Sequence, residues 1–185
     1  MSSLNKLLVV AIPVVLACLA GHAISQDNKS SAKVPGGIAI AEFEGYERWE
    51  IISLSHGGDR LAVILGNPVI IESFKAGIPA NGKPFPNGAK MAKIHWNAQT
   101  SQEAPGQPQV TGELHDTDFM VKDSVRFADS GGWGYGAFMY EPASNSWRPF
   151  TTSDQPPQEN DAKCGFACHT AVESKDYVFS SYAQR

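Results

Sequence analysis

No block of like charge runs through this 185-residue chain, in which fifteen Lys and Arg are set against nineteen Asp and Glu. That balance leaves no electrostatic footprint for nucleic acid and points to a small partner instead. Internal repeats and long low-complexity tracts are also missing, so a solenoid or an array is excluded. Connections are too short for repeated βαβ crossovers, which removes a parallel doubly wound sheet. Cysteine is scarce, with three residues at positions 18, 164 and 168. With 42% apolar residues the chain can still build a core of its own.

The start of the chain reads as an export signal. Met1 to Lys6 carries one positive charge, Leu7 to Ala20 is an almost unbroken apolar run with Pro13 inside it, and Ala23-Ile24-Ser25 offers small residues where a signal peptidase inspects the chain. The run is too short, given its flanks, to serve as a membrane span. Residues 1–25 are therefore expected to be removed on export to the periplasm, leaving about 160 residues, the size of one ordinary domain. A second reading stays open: Val15-Leu16-Ala17-Cys18 loosely resembles a lipoprotein processing site, which would leave a lipid on Cys18, although Leu16 fits poorly there. Gln26 to Gly36 is polar and small, so the expectation is a mobile leader over 26–36 and one domain over 37–185.

Removal of Cys18 leaves two thiols, and both stand beside a histidine in Lys163-Cys164-Gly165-Phe166-Ala167-Cys168-His169-Thr170. Two cysteines closing on a histidine is the arrangement by which a chain traps haem, each thiol adding across a vinyl group while the imidazole ligates iron. The usual spacing has two intervening residues; here there are three, and a bulge at Gly165 is expected to absorb the extra one. Three other readings remain open on the residues alone. Structural zinc would want a fourth ligand at ordinary spacing, and His115, the nearest other histidine upstream, has no partner beside it. A Cys164–Cys168 disulfide suits an oxidising compartment but leaves His169 unexplained. A thioredoxin-like redox pair would want the shorter spacing near a βαβ pattern.

Along the domain, Phe43, Tyr46 and Trp49 recur at spacings of three, which predicts an amphipathic helix over 41–55 ended by His56-Gly57-Gly58. Leu61 to Leu65 reads as a buried strand, and Val69 to Lys75 as a brief helix. From Ala89 to Trp96 the residues alternate: Ala92, Ile94 and Trp96 share a core-like face, while Met91, Lys93 and His95 share a mixed one that is either solvent-facing or a cofactor wall. Val110 to Leu114, Phe119 to Lys122 and Tyr135 to Tyr140 are predicted strands, with a glycine-dense turn before the last that would admit a close backbone or a flat ligand. The expected class is α+β: one domain, mainly antiparallel sheet with flanking helices.

Several motifs then agree in order. Phe85-Pro86-Asn87-Gly88-Ala89-Lys90-Met91-Ala92-Lys93-Ile94, Lys122-Asp123-Ser124-Val125-Arg126, Gly132-Trp133-Gly134, Cys164 to Thr170 and Asp176-Tyr177-Val178-Phe179 together resemble the cytochrome P-460 family from about Gly45 onward. The resemblance implies a periplasmic, mostly β protein, often a homodimer, around one covalent haem c. It implies thioethers from Cys164 and Cys168, His169 as axial ligand, and Lys93, a better match than Lys90, bonded through its amine to a haem meso carbon. Namesake members oxidise hydroxylamine, and others bind nitric oxide or similar gases. The expected partners are thus a small nitrogen-oxide substrate or gas ligand and a soluble redox partner such as another cytochrome. Electron transfer alone would need a filled sixth position, for which Met120 and Met139 are the available side chains.

Two departures stand out. The attachment motif is longer by one residue than in the namesake enzymes. Hydroxylamine oxidation also needs a carboxylate over the iron to take protons, and the acid that namesake members carry shortly before the haem motif is replaced here by Phe150-Thr151-Thr152, with Asp154 the nearest acid. Asp154, Asp129 and Glu141 are the proton-acceptor candidates. As an enzyme the chain would oxidise hydroxylamine; as a binding module it would hold a gas; as a structural protein it would use its two cysteines only as a disulfide.

Overall fold

The computed structural model describes residues 31–34, 37–150 and 161–184; the export signal and Asp154 lie outside them. Six strands, β1 (Glu50–Gly57), β2 (Arg60–Gly66), β3 (Lys90–Thr100), β4 (Gln109–Lys122), β5 (Trp133–Glu141) and β6 (Ser146–Pro149), pair in chain order as one antiparallel sheet. Two helices flank it, α1 (Pro68–Lys75) and α2 (Asp161–His169). The domain is α+β, as the sequence predicts.

The middle of the sheet is buried on both faces, so there its strands alternate between two apolar clusters, while β1 and the first half of β4 face water. One cluster holds Phe43, Tyr46, Ala92, Ile94, Phe119, Val121 and Phe138; the other holds Ile64, Met91, Met120, Trp133 and Tyr135. The alternation read in the 89–96 stretch is real, and its mixed face, carrying Met91, joins the second cluster under α1 and the C-terminal segment. Full burial of each Phe contributes about 1.5–3 kcal/mol.

Three expectations change. The helix predicted over 41–55 is two 3-10 turns, Ile40–Phe43 and Tyr46–Arg48, followed by β1. Spacings of three suit a 3-10 turn as well as an α-helix, and Gly45 between the turns has φ 81, outside helical space. His56-Gly57-Gly58 thus closes a strand and opens the β1–β2 hairpin, in which Gly57 faces Arg60. The two strands predicted over 110–122 are one 14-residue strand running through His115, Asp116 and Asp118. The stretch expected as leader packs at its far end: Val34 is fully buried, and Lys33 bridges Ala39.

Several of the family-like motifs hold one another. Asn87 Nδ2 donates to Ser124 Oγ at 3.0 Å and the Ser124 amide donates back to Asn87 Oδ1 at 2.9 Å, zipping the Phe85–Gly88 turn to the 122–126 turn. Arg126 forks onto Glu42 at 2.6 and 3.0 Å. The glycine-dense turn approaches this protein's own rings rather than a ligand, because a Cβ on Gly134 would meet Phe127 at 2.3 Å and one on Gly131 would meet Tyr177 at 2.3 Å. Asn67 sets the start of β3: it caps α1 at the Ile70 amide, accepts from the Lys90 amide at 3.0 Å and donates to Gly88 O at 2.8 Å.

Candidate haem site

Between the second face of the sheet and α2 lies a cavity of about 770 Å³. Its sheet wall includes Ile64, Met91, Lys93, Asp116, Asp118, Met120 and Tyr135, and its other wall Cys164, Cys168, His169, Val178 and Phe179. That volume suits a small-molecule cofactor.

Helix α2 explains the long attachment spacing. Offsets of three and of four residues both put two side chains on one helix face, so Cys164 and Cys168 stand one turn apart without any bulge. Gly165 serves a different purpose from the one expected: a Cβ there would lie 2.7 Å from the Tyr135 side chain, and its absence lets α2 settle on β5. Both thiols are free and exposed.

His169 is prepared as a ligand through one nitrogen. Its Nδ1 lies 2.5 Å from Tyr177 O, to which it donates, leaving Nε2 as the lone-pair nitrogen. Burial pushes the imidazole pKa down, the bond to Tyr177 works against that, and the Lys93 charge lowers it further. The net lowering keeps the ring neutral at pH 7. Tyr177 can present its carbonyl because Asp176 and Tyr177 both lie in the left-handed region, at φ 49 and 64. Lys122 holds that turn: its Nζ meets Asp176 Oδ1 at 2.7 Å, while Asp176 Oδ2 accepts from the Phe85 amide at 2.7 Å.

The sequence-predicted residues divide clearly. Lys93, Cys164, Cys168 and His169 line one cavity. Lys90 points to the other face, donating to Glu42 O at 2.5 Å over the Phe43 ring. Met120 lines the cavity as core filling beside Met91, whereas Met139 is not part of its wall. Asp129 is exposed on the Ala128–Ser130 turn, and Glu141 pairs with Arg148 at 2.5 Å; neither borders the cavity. Among the described residues, the carboxylates that do border it are Asp116 and Asp118. Continuous alternation through Asp116, Asp118 and Met120 is the signal for them, hidden by splitting β4 into two strands. Burial pushes the Asp116 carboxyl up, but His95 and His115 beside it outweigh that and hold it below the ordinary carboxylate range.

The residues present fit a haem. Two exposed thiols one turn apart and an imidazole whose Nδ1 is already committed to Tyr177 O line the same mostly apolar cavity, so it offers a guest two sulfurs and one ring nitrogen on a single wall. A flat macrocycle is a guest that such a set can hold, and the molecule is a c-type haem protein. It belongs to the cytochrome P460 family, whose model matches residues 43–180. No curated protein matches the chain.

Proposed function

We propose that this chain is exported to the periplasm, holds one haem covalently through Cys164 and Cys168 with His169 as axial ligand, and oxidises hydroxylamine or a related small nitrogen compound. The haem would supply a redox-active iron with one coordination position open to such a molecule. The observation that carries the reading is the meeting of Lys93, two carboxylates and the Cys-Cys-His helix around a single cavity. Lys93, two strand positions from Met91 on the same face of β3, supplies the amine for the meso bond. Asp116 and Asp118 supply the carboxylates that take protons, in place of Asp129 and Glu141, while a soluble redox protein takes the electrons.

A gas-binding reading has support of its own, because most of the lining is apolar and Asp116 is already engaged by His95 and His115. Lys93→Ala and Asp118→Asn in the haem-loaded protein separate the two. For the enzyme, Lys93→Ala returns the ferrous absorption to that of an ordinary c-type haem, and Asp118→Asn lowers hydroxylamine turnover about a hundredfold or more. An ordinary spectrum in the wild type, with no turnover to lose, favours gas binding.

A further inference from the structure

Strands β3 and β4 pair with a register shift at His95: His95 faces Asp116, while the next pair is Trp96 with Leu114. His115 is therefore the extra residue of a β-bulge. Bulges re-aim side chains, and this one brings His115 beside its neighbour Asp116, with His115 Nδ1 3.0 Å from Asp116 Oδ2. Asp118, two positions on and hence on the same face, has its Oδ2 3.9 Å from His95 Nδ1. His95 Nδ1 itself lies 2.5 Å from Asp116 Oδ1, yet both atoms are buried and neither has an aligned hydrogen-bond partner.

We propose that His95, Asp116 and Asp118 form a binding site for a divalent first-row transition ion, distinct from the haem. One donor atom from each lies within 4.8 Å of the other two. With bonds of about 2.0–2.2 Å in a tetrahedron, ligand atoms sit about 3.4 Å apart. The His95–Asp116 contact would open by about an ångström and Asp118 close by less. An imidazole with two carboxylates suits zinc, iron or manganese in preference to calcium or magnesium. His115 plays the outer part: by bonding Asp116 Oδ2 it leaves Oδ1 for the ion and orients the carboxylate. Three protein ligands leave a fourth position, and both carboxylates border the cavity, so that position is available to a molecule held there.

The site deepens the reading above, since an ion there occupies the carboxylates assigned to protons, so zinc should slow any hydroxylamine turnover. Its own test does not depend on turnover. The haem-loaded mature protein is dialysed against buffered micromolar zinc, and metal per chain is measured together with zinc-edge X-ray absorption. One zinc per chain, with nitrogen and oxygen ligands at about 2.0–2.2 Å, is the expected result. His95→Ala and Asp116→Asn abolish it, His115→Ala weakens it about 10- to 100-fold, and His56→Ala on the distant hairpin leaves it unchanged. Wild-type protein that takes up no zinc, or zinc lost with His56 instead of His95, overturns the proposal whether or not the other variants fold. Haem without zinc contradicts this site alone; zinc without haem contradicts the function proposed above and leaves this site standing.

Discussion

At Asp176 a single carboxylate ties three parts of the chain together: the Lys122 ammonium on β4, the Phe85 amide in the turn before β3, and the left-handed turn whose next carbonyl accepts from His169. Both charged groups are nearly shut off from water, at 6% and 12% side-chain exposure. Removing one member of such a pair leaves the other buried and unpaired, which costs about 3–5 kcal/mol. Asp176→Ala should lower the denaturation midpoint accordingly, and its haem should show a disturbed axial-ligand spectrum because the Tyr177 carbonyl loses its support. A variant as stable as wild type would mean that Asp176 does not hold the turn. The sequence displayed Asp176 as part of a motif, but nothing in it paired this residue with Lys122, because the two are 54 positions apart. That Cys164, Cys168 and His169 come together was legible for the opposite reason: they are neighbours in the chain, and the structure puts all three on one wall of the cavity.

Among the elements, β3 was read correctly and β4 was not. The first alternates cleanly from Lys90 to Trp96, so the faces of Met91 and Lys93 could be assigned by counting. The second runs polar through His115, Asp116 and Asp118, and its bulge breaks the period, so the carboxylates facing the cavity stayed hidden. Helix α2 makes its own demand. A side chain at Gly165 would enter the Tyr135 ring, so Gly165→Ala should push the helix off β5 at a cost of about 1–3 kcal/mol. Haem attachment yield, measured by absorbance per chain, should fall with it; full attachment and unchanged stability would show that the close approach is dispensable.

Across the whole molecule, the N-terminal turns are fastened to the far side of the sheet by the fork of Arg126 on Glu42. Burial pushes the Glu42 carboxyl up, but Arg126, the Ala39 amide and Lys90 together hold it below its ordinary value of 4.5. A carboxyl lowered in the folded state adds stability that is fully present above the unfolded value and is lost as pH falls through the folded one. The melting temperature of Glu42→Gln should therefore lie below that of wild type at neutral pH, with the gap closing on the acid side. A gap independent of pH would remove the charge from this account. The broader architecture was legible because six strands that pair in chain order need no crossover, and glycine and proline mark the connections between them. What was not legible is that one face of that sheet, with a helix laid across it, encloses a cavity large enough for a macrocycle.

The central claim is the covalent haem, and intact mass tests it most directly. Mature protein made alongside a haem-attachment system, extracted with acid and acetone to strip loose haem, should weigh one haem more than its polypeptide, and Cys164→Ala with Cys168→Ala should bring the mass back to that of the bare chain. Wild-type protein at the bare polypeptide mass would contradict the account.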